Sequence, residues 1–284
     1  MSGIERWAGT LHELDRATWS LAAIVAALRD GEPTARAVVE LLGPIQSLAG
    51  EEAEQVAAAA AAPLLQAARF VTGGSAWNEQ DDEALLAQGR ASAGAGVLFR
   101  ERVLPQLPDS ERLLTGPVRL LDVGVGVAAM AVALCQHMPQ LSIVGLDVLD
   151  RPLELARLHV EEADLDERIE LRRLDVAELD AADEFDLAWL PAPFLPRSAL
   201  ERGLARVAAA LRPDGWILLG HGRLGDNALD AVVTRFKTVA YGGTPLNDGE
   251  AEALLASVGL VDVHHLLTPP GTPALAVGRS PSQP

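Results

Sequence analysis

From residue 117 onward the chain alternates short apolar runs with helical spacing, and this alternation constrains the fold more than any other feature. Val118–Val123, Leu141–Leu146, Ile169–Leu174, Phe185–Leu190 and Trp216–Gly220 read as strands. Between them, Val127–His137, Arg151–Ala163 and Ser198–Leu211 read as helices, the last closed by Pro213-Asp214-Gly215. Two more helices are predicted near Leu224–Phe236 and Asp248–Val258, then strands near Val261–Leu267 and Ala274–Val277. Strands that alternate with helices pair in parallel through right-handed crossovers. The last two strands, joined through Pro269-Pro270-Gly271, are close enough for an antiparallel hairpin. The fold class is therefore α/β.

Before residue 117 no strand pattern is visible. Leu11, Leu14, Leu21, Ile24, Val25 and Leu28 recur at helical spacing, and Asp30–Thr34 breaks the helix. Thr34 is positioned to cap a second helix, Ala35–Leu42, ended by Gly43-Pro44. A third helix is predicted over Glu51–Phe70, with a kink or restart at Pro63. Asp81–Gln88 and Val97–Leu107 read as two further helices, separated by Gly89, Gly94 and Gly96.

Composition narrows the partners. The net charge is −17 and there is no block of Lys or Arg, so the chain lacks the positive footprint that holds nucleic-acid phosphates or anionic membranes. Cys135 is the one cysteine, which excludes an internal disulfide or a cysteine-based cluster; its apolar helical setting reads as buried core. No basic-plus-apolar leader and no membrane-length apolar run is present, so a cytoplasmic location is expected.

The chemistry concentrates at strand ends. The first strand runs into Leu121-Asp122-Val123-Gly124-Val125-Gly126, and a helix follows at once. Glycines at such a turn let backbone approach a ligand closely. The second strand ends in Gly145-Leu146-Asp147, 21 residues after Gly126, where an acid can accept from both ribose hydroxyls. The alternative role for Asp147 is to cap the next helix, but Asp150 is better placed for that. Val148 follows as a further cofactor contact, and the third strand ends in Leu174-Asp175-Val176. Asp175 can accept from an adenine amine while Val176 packs on the ring. Asp122 inside the turn repels phosphates and favours a cationic group.

In these motifs the chain resembles the class I S-adenosylmethionine-dependent methyltransferases, over about residues 117–280. Asp122, Gly124 and Gly126 match the family's glycine motif, Asp147 its ribose acid and Asp175-Val176 its adenine-side motif. Phe185-Asp186-Leu187 match the start of its fourth strand, and Leu211-Arg212-Pro213-Asp214-Gly215 the turn before its fifth. The resemblance implies a Rossmann-like seven-stranded sheet with only the last strand antiparallel, S-adenosylmethionine as cofactor and S-adenosylhomocysteine as product. Ala128 stands where the family usually has a third glycine. The implied division is an N-terminal helical dimerisation or lid domain, 1–110, and a cofactor-binding domain, 111–284. The N-terminal helices either form a homodimer or cover one end of the sheet.

The resemblance also places the methyl acceptor at the end of the fourth strand, Trp189-Leu190-Pro191-Ala192-Pro193-Phe194. Leu190, assigned to the cofactor, replaces the polar residue that grips planar amines in amide and nucleobase N-methyltransferases. Pro191 and Phe194 then form an apolar wall for a small apolar or aromatic metabolite. Oxygen is the favoured acceptor, with carbon and nitrogen open. Trp77, Phe99 and Arg100 are candidate acceptor contacts. His221, just after the fifth strand, is the candidate general base. Leu190 removes the first ligand of a catechol-type metal site despite Asp226-Asn227, and adjacent His264 and His265 face opposite sides of a strand, so no metal is expected. Two other readings compete: a nicotinamide-dependent oxidoreductase, against which Asp122 argues, and a family member that binds the cofactor without methylating, as a cyclase or regulatory protein.

Overall fold

The computed structural model describes residues 3–31, 33–42, 48, 50–73, 81–223, 228–269 and 272–282; the side chains of 3–9 and 51 lie outside that description. Seven strands form one sheet: β1 (Val118–Val123), β2 (Leu141–Asp147), β3 (Ile169–Arg173), β4 (Phe185–Pro191), β5 (Leu211–His221), β6 (Val261–Leu266) and β7 (Ala274–Arg279). Their order is β3-β2-β1-β4-β5-β7-β6. β1 to β5 pair in parallel. β7 inserts between β5 and β6 and is antiparallel to both, so it alone runs in reverse.

Successive side chains on a strand face opposite ways, which builds two cores. Leu120, Ile143, Leu187, Leu218 and Val277 pack toward α6 (Ala129–His137) and α7 (Asp150–Glu162), with Leu113 of α5 (Ser110–Thr115). Leu121, Val144, Ala188, Ile217 and Leu219 pack toward α8 (Arg197–Ala210) and α10 (Asp248–Ser257). α9 (Ala228–Ala240) lies beside the end of β4. Cys135 is buried, and burial pushes its thiol up to about 11, as expected for a core residue.

One buried carboxylate anchors the start of β4. Asp186 accepts from Arg112 Nη1 at 3.0 Å, Arg212 Nη1 at 2.7 Å and the Arg119 backbone N–H at 2.8 Å. A buried charge is tolerated when it is paired and hydrogen-bonded in this way. β5 begins at Leu211 rather than Trp216, because Asp214 at φ 65° and Gly215 are absorbed as an irregularity within the strand.

The N-terminal helices are α1 (Gly3–Arg29), α2 (Pro33–Leu42), α3 (Gly50–Val71) and α4 (Asp82–Leu98). α2 starts at Pro33, so Thr34 sits inside its first turn instead of capping it. α3 runs through Pro63 without restarting. It packs against both α1 and α4 along the buried alanines 57, 58, 60, 61 and 62, and that packing offsets the one lost backbone bond.

The two helices predicted on either side of Gly89–Gly96 are one continuous helix, α4, followed by a π-helical turn, Phe99–Val103, and a 3-10 turn, Leu104–Gln106. Gly89 and Gly96 serve close packing on Val127 and α6, not chain breaks. A Cβ at Gly89 would lie 2.2 Å from Val127 Cγ2, and one at Gly96 would lie 3.1 Å from Ala133 Cβ. At Gly94 the nearest atom is Gln55 Oε1, at 3.4 Å. We therefore expect Gly89→Ala to destabilise the chain by about 1–3 kcal/mol through overpacking. Gly94→Ala is expected to stabilise it by about 0.5–1 kcal/mol through helix propensity. Urea unfolding of the two variants checks the opposite signs.

Candidate active site

The C-terminal ends of β1 and β2 converge on the glycine turn. Gly124 (φ 73°) and Gly126 (φ 57°) are both left-handed, which suits glycine. The backbone N–H groups of Gly124 and Val125 donate to Leu146 O at 2.8 and 2.9 Å. Gly145 leaves room for this, since a Cβ there would lie 2.7 Å from Val125 Cγ2. Asp147 completes the clasp: Oδ2 accepts from Gly126 N at 2.9 Å and Oδ1 from Leu149 N at 3.0 Å. Asp150, expected as the cap of α7, makes no side-chain cap and pairs with Arg173 at 2.8 Å. Asp147 is therefore already engaged with backbone, rather than left free, although each carboxylate oxygen can accept more than one bond.

Ala128, at the third-glycine position, is left-handed at φ 59° and fully buried at the start of α6. Its strain, about 1 kcal/mol, is matched by the burial of its methyl group. Among the described residues, its two chain neighbours aside, no heavy atom lies within 4 Å of a Cβ built on Gly126. An open backbone cradle beside an acidic acceptor is the environment a nucleoside with hydroxyls requires, and these residues fit it. Val148, 53% exposed just after Asp147, offers the apolar face beside it.

Asp122 lies beneath the turn, 2% exposed. Burial first, and the charge of Asp147 second, push its carboxyl up to about 7. A buried group of this kind favours a nearby cation, which would restore its ionised form.

An apolar surface forms at the end of β4, beside the glycine turn. Pro191 Cγ lies 3.8 Å from a Cβ built on Gly124, so this strand end abuts the glycine turn. Phe194, 37% exposed, meets Tyr241 with ring centroids 5.4 Å apart. Tyr241 Oη donates to Gln66 Oε1 of α3 at 2.6 Å, and burial raises its phenol above the usual range. Gln66 Nε2 in turn donates to Gln88 Oε1 of α4 at 2.8 Å. Phe70 and Phe236 continue the wall edge-to-face at 5.3 Å. The N-terminal helices thus close over the site, and Leu85 of α4 packs on Val127 and Ala129 beside the turn. Arg151 holds this roof through a two-pronged bond to Asp82, at 2.8 and 2.5 Å. Gln66 and Tyr241 escaped the sequence reading; the clue was that Tyr241 is the sole tyrosine of the chain.

Other sequence candidates fall elsewhere. Asp175 is at the end of β3 but spends Oδ1 on the Ala177 N–H at 2.9 Å. Val176, expected on the adenine ring, is buried against α8, where a Cβ on Gly203 would lie 2.5 Å from it. Leu190 points into the α8-side core. Phe99 is core and meets Trp189 edge-to-face at 6.2 Å. Arg100 is half-buried with Nε unpartnered among the described residues. Trp77 and Asp226-Asn227 lie outside the described residues. His221 is fully buried, with Nε2 3.1 Å from His265 Nε2. Burial and His265 hold its imidazole below the ordinary range, against an opposing pull from Asp248 and nearby backbone.

Residues 120–215 match a family described as "Methyltransferase domain". No curated protein matches the sequence. Among solved structures, the chain is similar to the pyocyanin biosynthetic protein PhzM, at 16% identity and a TM-score of 0.67, covering 96% of this chain and 98% of that one. It is similar to human N-acetylserotonin methyltransferase in complex with SAM, at 13% identity and TM-score 0.65, covering 99% of each. A third likeness is to the [4+2]-cyclase SpnF, at 18% identity and TM-score 0.53, covering 82% of this chain and 97% of that one. Residues 120–215 thus carry the methyltransferase-domain match, and the fold of the chain, a seven-stranded sheet preceded by several helices, is that of these solved structures.

Because Asp122 binds its proton more tightly folded than unfolded, apo stability falls as pH rises from about 4 through about 7. Asp122→Asn should remove that decline. It should be more stable than the parent at pH 8 by on the order of a few kcal/mol, with no advantage at pH 4, as read by denaturant melts at the two pH values.

Proposed function

We propose that the chain transfers a methyl group from S-adenosylmethionine to a small aromatic or apolar acceptor, with a hydroxyl oxygen favoured. The observation that carries this reading is the junction of Pro191 with the glycine turn, which puts an apolar wall of Pro191, Phe194 and Tyr241 next to the cofactor cradle. When bound, S-adenosylmethionine supplies an electrophilic methyl group, so the protein has to align an acceptor and let a proton leave. Asp147 is the ribose ligand, Val148 the apolar contact beside it, and Asp175 Oδ2 the adenine-side acceptor. Asp122 faces the cationic part of the cofactor. The closure by α3 and α4 excludes water from the transfer.

Pro191-Ala192-Pro193-Phe194-Leu195-Pro196 contains no titratable side chain. That favours an acceptor whose hydroxyl ionises readily, a phenol or enol, over an aliphatic alcohol. His221 stays neutral near pH 7 and is chemically able to accept a proton, but its partners are His265 and the start of α10. The same absence of a titratable side chain from Pro191–Pro196 supports a second reading, a family member that binds the cofactor and does not methylate. The likeness to a [4+2]-cyclase is in keeping with it.

S-adenosylhomocysteine should raise the melting temperature of the full chain, while NADH and NADPH should not. Asp147→Ala should weaken binding about 10- to 100-fold, the loss of a charge-assisted bond. A panel of phenols and aliphatic alcohols, assayed for S-adenosylhomocysteine release, then separates the readings. Turnover on phenols supports methylation; tight binding with no turnover on any acceptor supports the second reading; stabilisation by a nicotinamide alone overturns both.

We also propose a cytoplasmic homodimer formed through the N-terminal helices. No described helix is long and apolar enough to cross a membrane. Leu11, Leu14 and Trp19 of α1 are exposed, Trp19 at 68%, as are Leu41 and Leu42 of α2. Exposed large apolar side chains on these helices suit a partner. Light scattering coupled to gel filtration should give twice the chain mass, and Trp19→Glu with Leu14→Glu should shift it toward the monomer.

A further inference from the structure

A second cluster of ligating side chains lies where β5, β6 and α10 meet. His221, the last residue of β5, and His265 on β6 bring their Nε2 atoms to 3.1 Å. Asp248, the first residue of α10, places Oδ1 3.8 Å from His221 Nε2 and 3.9 Å from His265 Nε2. His221 is 0% exposed and its Nδ1 has no hydrogen-bond partner among the described residues, whereas Asp248 is 71% exposed. We propose that His221, His265 and Asp248 form a divalent-cation site of the zinc type.

The protonation pattern supports a cation. His265 Nδ1 lies 2.9 Å from Glu252 Oε1. A carboxylate oxygen accepts, so Nδ1 is the nitrogen that faces Glu252 and Nε2 is the nitrogen left to ligate. That nitrogen is aimed at the matching nitrogen of a fully buried histidine. Without an ion, the two nitrogens make a single N–H···N bond, with one lone pair shared between them. With an ion, both lone pairs and the Asp248 carboxylate share a ligand. Glu252 then plays the orienting part that a carboxylate plays behind a metal-bound histidine.

The spacing agrees with this. Two nitrogens each about 2.0–2.1 Å from a tetrahedral zinc are about 3.3 Å apart, close to the separation in the pair. Asp248 needs only a small inward rotation, and its exposure leaves it free to make one. Two imidazoles and one carboxylate suit zinc or cobalt better than magnesium or calcium, which prefer oxygen throughout. The exposed side of Asp248 gives solvent access for a water as fourth ligand.

The site has a structural consequence for the acceptor wall. Asn247 caps α10 through a reciprocal pair of bonds with Glu250, each 2.8 Å, which fixes the position of Asp248. Just upstream, Thr244 N donates to Ala192 O at 2.9 Å and Thr244 Oγ1 donates to Leu195 O at 2.8 Å. An ion at His221 thus ties the α10 start, and through it the segment lining Ala192–Leu195, to two strands. His264, next to His265, faces the other way, with its ring edge-on to Trp216 at 6.2 Å. It therefore takes no part.

The test uses the full chain with any purification tag removed, stripped with chelator and titrated with Co2+ and then Zn2+. One equivalent of Co2+ should bind with the visible absorption of a tetrahedral N/O site, and Zn2+ should displace it. His265→Ala should abolish the band, Glu252→Gln should weaken binding about 10- to 100-fold, and His264→Ala should leave it unchanged. Melting temperatures in chelator verify that the variants fold; where His265→Ala does not, Glu252→Gln and Asp248→Asn carry the test. Absence of stoichiometric binding in the parent chain, equal binding by the folded ligand variants, or equal loss in His264→Ala overturns the proposal.

Discussion

The Asp147 carboxylate is the constraint on which the site depends. By accepting from Gly126 and Leu149 at once, it locks the turn after β1 onto the end of β2. The carbonyl of Leu146 adds a second fastening through Gly124 and Val125. These bonds hold two left-handed glycines in place and leave the Gly126 position open to a ligand. They also bring Asp147 close enough to Asp122 for the two charges to interact, which is part of why Asp122 holds its proton. A cofactor bearing positive charge relieves a tension that the apo fold builds in.

Around that clasp the molecule is closed from two directions. The sheet delivers Pro191 to the glycine turn, and the N-terminal helices supply a roof through Leu85, Gln66 and the Asp82–Arg151 pair. Because Gly96 of α4 lies against α6 and Gly89 against Val127, the roof sits on the first helix after the glycine turn with almost no space between them. Closeness of this kind makes the roof part of the same packed unit, so the apolar end of β4 and the glycine turn are set by one body of contacts.

The His221 cluster shows how one strand end can serve two neighbourhoods. The sheet geometry that presents Pro191 to the glycine turn also carries His221, one residue past its partner Gly220, toward β6 and α10. Alternation along the strand turns its side chain to the α8–α10 face, while Asp122 and Trp189 belong to the other.

Much of this was legible in the chain itself. Apolar runs of strand length alternating with helical spacing are local consequences of burying two sheet faces, so β1 to β7, the glycine turn and the acids at strand ends follow from the sequence. The opposed directions of His264 and His265 follow from the two-residue period of a strand and hold in the structure. What sequence could not decide is whatever depends on the far side of a contact. Gly89, Gly94 and Gly96 read as helix breaks because propensity is local, yet all three lie in one helix, with Gly89 and Gly96 packed closely on Val127 and α6. Val176 reads as an adenine contact by its place after β3, yet α8 covers it. Gln66 and Tyr241, 175 residues apart, meet only through the docking of α3, and His221 finds His265 only because β7 folds back between β5 and β6. Periodicity determines which face of an element is buried; the partner on that face is chosen by packing, which no local stretch of the chain contains.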